Sequence, residues 1–324
     1  MLRNVTFGTD SILACYREIE NVRAFFLYLS RSAWLRRFME QSSLSQKLTR
    51  RFVAGMTLDE ELEVCKKLYA EHVLSTLDHL GENVSTIEEA CNSVEGYMAS
   101  LDRIAELKLP LTVSIKLTQF GLDFSKDTCL ANVARLVDRA REIGSRVEID
   151  MESTAYTDRT LDIVRELNRR ARGCVRAVIQ AYLFRSEADI ESLNNQGIRV
   201  RLCKGAYKEP ASVAYEAKAD VDANYVKLMK LLFDKGVDPA IASHDEKIVR
   251  EALAYTKARG IGPERFEFQM LYGIRRDLQR EITAGGHRLR LYVPYGDAWY
   301  PYFMRRLAER PANVLFLLRN LIKS

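Results

Sequence analysis

Residues 112–151 read TVSIKLTQFGLDFSKDTCLANVARLVDRAREIGSRVEIDM. The stretch begins and ends with short apolar runs, at 112–118 and 146–151, and the segment 127–143 between them places apolar residues at helical spacing. Runs of this length are typical of strands that are buried on both faces, whereas the periodic segment indicates an amphipathic helix. The stretch therefore predicts a strand, a helix and a second strand, the unit from which parallel sheets are built.

The same order of strand and helix recurs along most of the chain. Eight repeats favour a closed (β/α)8 TIM-type barrel over an open sheet. A dinucleotide-binding fold is the main alternative, but it needs a GxGxxG run directly after a strand, and the sequence has none. Strands are predicted at 72–78, 112–118, 146–151, 176–182, 199–205, 239–244, 266–271 and 289–293, with helices that include 86–107, 127–143, 158–171, 212–233, 245–258 and 275–283.

The first part of the chain has a different pattern. Residues 1–71 lack strand signals, and apolar residues at helical spacing predict helices at 22–38 and 58–71. Thr57 is the expected cap of the second of these helices, with Glu60 in the capping-box position. The predicted organisation is a helical segment at 1–71 followed by a catalytic barrel with C-terminal helices at 72–324.

Composition excludes several classes of protein. Of the 324 residues, 47% are hydrophobic and 29% are charged, which is ordinary for a globular protein. The net charge of +5 is interpreted as a surface excess, with contact to an anionic ligand or lipid as the alternative, and no nucleic-acid partner is predicted. The six cysteines have no CxxC spacing, which predicts reduced thiols in a cytosolic protein. The four histidines form no metal-binding run, and no apolar stretch is long enough for a membrane span.

Polar side chains stand at nearly every predicted strand end, where TIM-type barrels carry their chemistry. Each has a structural alternative: Lys116 could extend to solvent, Asp150 could cap a helix, and His244 could be a structural histidine. Arg201 and Lys204 precede two small residues, a pattern that predicts backbone N–H groups close to an anion. The strand-end residues are Lys116, Asp150, Glu152, Gln180, Arg201, Lys204, Ser243, His244, Asp245, Gln269, Tyr292 and Tyr295.

Residues 299–311, WYPYFMRRLAERP, carry the strongest local signal. The proline at 301 is allowed in a first helical turn and the proline at 311 ends the helix. On this helix Tyr302, Arg305, Arg306 and Glu309 share one face. On this face one glutamate is available to pair with two arginines. This imbalance predicts that the two guanidinium groups bind a ligand carboxylate. The alternative is a basic face exposed to solvent. A small carboxylate ligand beside a large anionic cofactor suits amino-acid oxidation.

With these motifs the sequence resembles the proline dehydrogenase family over about residues 71–313. Cys203 stands where the family usually has valine, and Ser243 stands where threonine is common, although Ser243 keeps the hydroxyl group. The resemblance rests on the motifs DHLGE (78–82), SIKLT (114–118), DME (150–152), RLCKGAY (201–207), EFQMLYG (267–273), YVPYG (292–296) and YFMRRLAERP (302–311).

The resemblance implies a flavin-dependent enzyme of the short monofunctional bacterial type. It implies a distorted barrel whose final helix lies over the barrel mouth, with FAD bound without a dinucleotide motif. The implied reaction is oxidation of L-proline to Δ1-pyrroline-5-carboxylate by hydride transfer to flavin N5, with electrons passed to a membrane quinone. A cytoplasmic location follows, with peripheral contact to the inner face of the cell membrane. The basic, apolar tail at 314–323 is the candidate for that contact, unless it packs on the domain.

The family's functional residues are carried over onto matching positions. Asp150 and Arg201 are implied to be catalytic, with Arg201 near the flavin N5. The implied substrate-binding residues are Lys116, Arg305, Arg306, Tyr292, Tyr302, Leu271 and Glu309. The implied cofactor-binding residues are Met151, Gln180, Arg201, Lys204, Gly205, Ala206, Ser243 and His244.

Three alternatives from other classes stay open at this point. A different flavin barrel would act on another substrate, such as a folate or an N-methyl amino acid. A metal-dependent hydrolase barrel would use Asp150, His244 and Asp245, although the shortage of histidines argues against it. A non-catalytic module would bind proline without a flavin.

Overall fold

The computed structural model describes Trp34, Met39, residues 49–81 and residues 84–309, with side chains described as far as Arg305. Ala54–Gly296 forms one compact unit, and the described residues of Met1–Val53 and Asp297–Ser324 belong to a second. Apart from Trp34, the predicted helix at 22–38 lies outside the described residues, as does the tail at 314–323. The predicted division of the chain at residue 71 stays a prediction.

Eight parallel strands close into a barrel in sequence order, which confirms the predicted (β/α)8 architecture. Closure comes from the pairing of the first strand with the last, where Thr76 lies opposite Tyr292. Parallel pairing requires crossover connections, and the helices between the strands supply them. The strands are β1 Leu74–His79, β2 Thr112–Ile115, β3 Val147–Ile149, β4 Val175–Gln180, β5 Arg199–Cys203, β6 Ala240–Ala242, β7 Glu267–Leu271 and β8 Leu289–Tyr295.

The helices begin where the sequence supplies caps. Thr57 caps α1 and forms the predicted capping box with Glu60, which confirms that prediction. The predicted helices at 86–107 and 127–143 agree with the structure to within one residue at each end. The helices are α1 Leu58–Ala70, α2 Ile87–Leu107, α3 Lys126–Glu142, α4 Thr154–Arg170, α5 Ser186–Asn195, α6 Lys218–Lys235, α7 Glu246–Ala258, α8 Arg276–Ala284 and α9 Trp299–Glu309, with 3-10 helices at Leu117–Phe120 and Pro263–Arg265.

Several predicted boundaries differ from the structure, and two of these differences have a clear cause in the backbone. The strand predicted at 112–118 ends at Ile115, because the chain turns into the 3-10 helix Leu117–Phe120 and then through Gly121 at a φ of 91°. The helix predicted at 212–233 begins only at Lys218. The residues before it are held instead by the segment after β4, where the Tyr215 N–H donates to the Tyr182 carbonyl at 2.8 Å.

The two faces of the strands bury different kinds of side chain. The apolar positions, such as Ile115 and Ile149, belong to the hydrophobic core. The alternate positions are polar: Glu148 on β3 accepts hydrogen bonds from Gln269 on β7, although β3 and β7 are not neighbouring strands. Such side chains can meet only inside the barrel. Branched aliphatic residues usually fill that space in TIM-type barrels, whereas this barrel fills it with paired charges.

Candidate active site

Two groups of side chains fill the barrel interior, one above the other. The group at the carboxyl ends of the strands is called the mouth layer: Asp78, Ser114, Lys116, Asp150, Arg201 and Tyr292. The group beneath it is called the sealed layer: Glu148, Arg176, Glu267, Gln269 and Arg290.

Asp150 is the centre of the mouth layer. Its Oδ1 accepts hydrogen bonds from the Ser114 hydroxyl at 3.0 Å and from Arg201. Its Oδ2 accepts from the Tyr292 hydroxyl at 2.8 Å and from the Lys116 ammonium at 3.3 Å. The structural alternative, in which Asp150 only caps a helix, does not apply, because Ser153 occupies the cap position of α4.

The charges of Asp150 and Arg201 stabilise each other. Burial alone would raise the pKa of Asp150, but the charges of Arg201 and Lys116 outweigh it, so this pKa is lowered. Burial would likewise lower the pKa of Arg201, but the carboxylates of Asp150 and Glu148 raise it above its ordinary value. Both groups are therefore ionised at neutral pH, and Asp150 is a poor proton acceptor there.

Lys116 and Tyr292 complete the mouth layer on its accessible side. The side chains of Lys116 and Asp150 are 12% and 13% exposed, so Lys116 does not extend freely to solvent. Its ammonium lies 3.3 Å from the Tyr292 hydroxyl and 3.6 Å from Asp78 Oδ1. Burial and then the Asp150 charge raise the pKa of Tyr292 well above its ordinary value, so this phenol stays protonated and donates. The Arg201 guanidinium carbon lies 5.4 Å from the Tyr292 ring centroid.

The sealed layer holds the mouth layer from below. Glu148 lies 3.1 Å from Arg176 and 3.0 Å from Arg201, and the side chains of Glu148 and Arg176 are fully buried. Burial would raise the pKa of Glu148, but Arg176 and Arg201 lower it. Glu267 pairs with Arg176 and, at 3.1 Å, with Arg290. Both carboxylates of the sealed layer thus have arginine partners, as charges without access to water require.

The side chain of Gln180 offers an acceptor at the end of β4. Its amide nitrogen donates to the carbonyls of Met151 and Glu152, at 3.0 Å and 3.3 Å. Its amide oxygen is buried and has no hydrogen-bond partner in the described part of the chain. Such an atom is costly to bury unless a ligand donates to it.

The loop after β5 brings backbone close to aromatic and acidic neighbours. Gly205 has a φ of 116°, and a Cβ there would lie 2.3 Å from the Tyr182 ring, so only glycine fits. Ala206 follows it and is exposed. Lys204 turns away from Arg201 and pairs with Asp222 and, at 2.9 Å, with Asp245. The two cations that the sequence places together therefore serve different partners.

Ser243 and His244 follow β6. The Ser243 hydroxyl accepts the Asp245 N–H at 3.1 Å. His244 Nε2 accepts the N–H of Leu271, at the end of β7, at 2.8 Å. The neutral imidazole consequently carries its proton on Nδ1.

The other strand-end residues do not all join the mouth layer. Gln269 belongs to the sealed layer, where its oxygen accepts from Arg201 at 3.2 Å. Glu152 instead accepts the Thr118 N–H at 3.1 Å. The Tyr295 hydroxyl lies 3.2 Å from that of Ser100.

The predicted carboxylate-binding residues lie on α9, in the second compact unit. Tyr302 is buried and Arg305 is partly exposed. Arg306 and Glu309 are helical, but their side chains lie outside the described ones. The shared face of these four residues, and the position of their helix over the barrel mouth, stay predictions.

The sequence interpretation assigned no role to several residues of this site, among them Asp78, Ser114 and Glu148. Ser114 and Glu148 each stand two positions before a predicted site residue, Lys116 and Asp150 respectively. Side chains two apart in a strand point to the same face, so alternation was the signal that could have found them. Asp78 is the second-last residue of β1, so its place near a strand end was a further signal.

Comparisons with known proteins identify the family of this chain. The family model described as proline dehydrogenase matches residues 62–319. Proline dehydrogenase 2 of Bacillus subtilis (strain 168) is 38% identical over 301 residues, which cover 93% of this chain and 99% of that protein. Proline dehydrogenase of Deinococcus radiodurans is 38% identical over 280 residues, covering 85% and 90% of the two chains.

Solved structures share the fold. Proline utilization A (PutA) from Bdellovibrio bacteriovorus, inactivated by N-propargylglycine, superposes with a TM-score of 0.77 at 28% identity. The match covers 82% of this chain and 33% of that one, so this chain spans about a third of the length of PutA. PutA from Bradyrhizobium japonicum matches at 23% identity with a TM-score of 0.72, which supports the fold alone. By the extent of the family match and the identity to full-length relatives, this chain belongs to the proline dehydrogenase family.

Proposed function

We propose that this chain oxidises L-proline to Δ1-pyrroline-5-carboxylate with bound FAD and passes the electrons to a membrane quinone. Family membership supports the proline dehydrogenase activity. The observation that carries the proposal is the mouth layer, in which Asp150 is held by Arg201, Lys116 and Tyr292 at the accessible end of the barrel. Reacting groups of TIM-type enzymes occupy this position.

The residues at the neighbouring strand ends fit a large cofactor such as FAD. The Gln180 oxygen offers a buried acceptor to a ligand donor, and Gly205 lets the loop after β5 pack its backbone against the Tyr182 ring, where a side chain would not fit. On the family resemblance, the residues that would hold the cofactor are Met151, Gln180, Arg201, Lys204, Gly205, Ala206, Ser243 and His244. When bound, FAD would accept the hydride, and with it the two electrons, that leave C5 of the substrate.

We assign substrate binding to two sets of residues. Lys116, Tyr292 and Leu271 border the mouth of the barrel. Arg305 and Arg306 are proposed, from the motif on α9, to bind the proline carboxylate in bidentate fashion, because planar guanidinium groups match carboxylate geometry. Tyr302 would pack against the ring, and Glu309 would orient the arginine pair.

Asp150 is proposed to act through its charge. Because its pKa is lowered, it stays ionised and does not serve as the base that accepts the amine proton at neutral pH. A fixed carboxylate stabilises the positive charge that develops on the substrate nitrogen as C5 is oxidised. Arg201, held by Glu148 and Asp150, supplies a permanent cation beside it.

The visible spectrum of the purified protein, before and after addition of L-proline, tests this function. We expect flavin absorbance that bleaches with proline under anaerobic conditions. A flavin spectrum that proline leaves unchanged would instead indicate a flavin barrel with another substrate. Proline binding without flavin absorbance would indicate a non-catalytic module, and metal-dependent hydrolysis without flavin would indicate a hydrolase.

Quinone reduction and membrane contact are separate parts of the proposal. We place the protein in the cytoplasm, in peripheral contact with the inner face of the cell membrane through residues 314–323. Within residues 49–81 and 84–309, no helix has the length and apolar character needed to cross a bilayer. Liposome flotation of the full chain beside a chain ending at residue 313 tests the contact, and equal flotation would contradict it.

A further inference from the structure

Three arginines converge at the face of the barrel opposite the mouth layer. Arg146 precedes β3, Arg199 begins β5 and Arg288 precedes β8, so all three lie at the amino ends of strands. Each donates to the carboxylate of Asp238, which stands two residues before β6. The distances to Oδ2 are 3.3 Å from Arg146 and 3.2 Å from Arg199, and Arg288 donates to Oδ1. These four residues are called the basal cluster.

The basal cluster carries more positive charge than its surroundings neutralise. Arg176 of the sealed layer also reaches Asp238, at 3.2 Å, but its charge is already matched by Glu148 and Glu267. Among the described residues, Asp238 is therefore the single acid that forms ion pairs with Arg146, Arg199 and Arg288, which leaves two positive charges in excess there. The side chains of Arg146, Arg199 and Arg288 are 18%, 24% and 34% exposed, so the excess charge is partly desolvated yet within reach of solvent.

Arg146 is the least satisfied member of the cluster. Its Nε is buried and has no hydrogen-bond partner in the part of the chain that the structure describes. Burial, together with the charges of Arg176 and Arg290, lowers the pKa of Arg146 to about 10. Exposed arginines that repel one another can separate into solvent, whereas these three are drawn together around one carboxylate. Asp238 also adopts a left-handed backbone conformation, with a φ of 45°, an uncommon conformation for a residue with a side chain.

We propose that the basal cluster binds a phosphate-type oxyanion, either free inorganic phosphate or the phosphate group of a small metabolite. Several guanidinium forks around one point match the oxygens of such an anion better than lysine ammonium groups would. A doubly charged anion also neutralises the excess charge that Asp238 leaves. The site lies at the opposite end of the barrel from the proposed catalytic residues, so the inference does not depend on the proposed function.

Calorimetric titration of the purified holoprotein with inorganic phosphate, at constant ionic strength set by chloride, tests the site. We expect saturable binding of one phosphate, weakened about tenfold or more in Arg146→Gln and in Arg288→Gln, because each removes a charge-assisted contact. Arg250→Gln is the matched control, because Arg250 is an exposed arginine paired with Glu246 and Glu281. This variant should bind phosphate with the affinity of the wild type. A parallel titration with glycerol 3-phosphate separates the sources: tighter binding than inorganic phosphate indicates a metabolite, and weaker binding indicates the free anion.

The variant Asp238→Asn should strengthen phosphate binding, whereas the arginine variants should weaken it. Removal of the competing carboxylate should tighten phosphate binding about tenfold and make the melting temperature depend more strongly on phosphate. If the cluster is only structural, this variant loses stability that phosphate does not restore. Heats that do not saturate in the wild type, or unchanged affinity in both arginine variants, would overturn the proposal, even if Asp238→Asn fails to fold.

Discussion

The mouth layer and the sealed layer contain the same types of residue, but only one of them is open to a ligand. They are two residues apart on shared strands: Asp150 follows Glu148 on the chain, and Tyr292 follows Arg290. In the sealed layer the acids and arginines are closed off from water and satisfy one another. In the mouth layer the pairing is similar, but Lys116 and Asp150 keep some exposure. The comparison teaches that ion pairing does not distinguish the two layers, whereas exposure at the carboxyl ends of the strands does.

Breaking the sealed layer should have the largest effect. Arg176→Met leaves two buried carboxylates short of one partner, and loss of a buried partner typically costs about 3–5 kcal/mol of the free energy of unfolding. Urea unfolding followed by circular dichroism measures this loss. Arg169→Met is the control, because Arg169 forms an exposed pair with Glu166 and should change stability by less than about 0.5 kcal/mol. Equal losses of the free energy of unfolding in both variants would contradict the difference expected between a buried and an exposed ion pair.

Breaking the mouth layer should reduce the rate of flavin reduction by proline. Arg201→Ala removes the cation beside Asp150, and removal of a preorganised donor of this kind typically slows catalysis about 10²–10³-fold. Stopped-flow measurement of flavin bleaching by proline gives the rate, with retained flavin absorbance as the check on folding. Arg185→Ala is the control, because Arg185 pairs with Asp158 and Asp189 and does not contact Asp150. Wild-type rates in Arg201→Ala would remove Arg201 from the proposed mechanism.

The proposed carboxylate clamp on α9 should affect substrate affinity. Arg305→Met and Arg306→Met each remove one charge-assisted contact, worth about 1.5–3 kcal/mol, so KM for proline should rise about tenfold or more. The flavin content should stay the same in both variants. Steady-state kinetics across proline concentrations measures the change. Wild-type KM values in both variants would reject the proposal that Arg305 and Arg306 bind the proline carboxylate. That result would not bear on the mouth layer.

Glu61 sharpens the comparison, because it is a buried acid that forms no ion pair with an arginine in the described part of the chain. Its side chain is fully buried close to Asp78. Burial, and then the nearby charge of Asp78, raises the pKa of Glu61 well above its ordinary value of 4.5. The folded chain therefore holds this proton more tightly than the unfolded chain does.

The stability that this proton provides is complete at acidic pH and is lost as pH rises towards the folded pKa. The variant Glu61→Gln does not titrate at this position, so its stability relative to the wild type should increase as pH rises above the ordinary carboxyl pKa. Urea unfolding at each pH measures the difference. Glu63→Gln, an exposed change on the same helix, should show no such trend; a trend of equal size there would contradict the assignment.

Much of the fold was predictable because its signals are local. Hydrophobic periodicity predicted eight strands, and caps such as Thr57 set helix ends. The helix Ser186–Asn195 was not predicted, and the start of α6 was misplaced because backbone pairing between Tyr182 and Tyr215 competes with the helix. That competition involves residues about 30 positions apart, beyond the reach of a local pattern.

The candidate site was predicted only in part. Asp150, Arg201, Lys116 and Tyr292 stood at strand ends, and the structure brings these four together. Ser114 and Glu148 were missed, because a polar residue inside a strand does not itself indicate what it meets. The roles of the other predicted residues, including those on α9, stay predictions.

By itself, the sequence determined the order and type of the barrel elements and the family to which the chain belongs, since periodicity, caps and motifs are properties of neighbouring residues. Only the tertiary structure decided which charges pair. Glu148 and Gln269 are 121 positions apart and meet because the barrel closes. Partner choice inside a barrel depends on strand register and closure, and these are set by the packing of the whole chain.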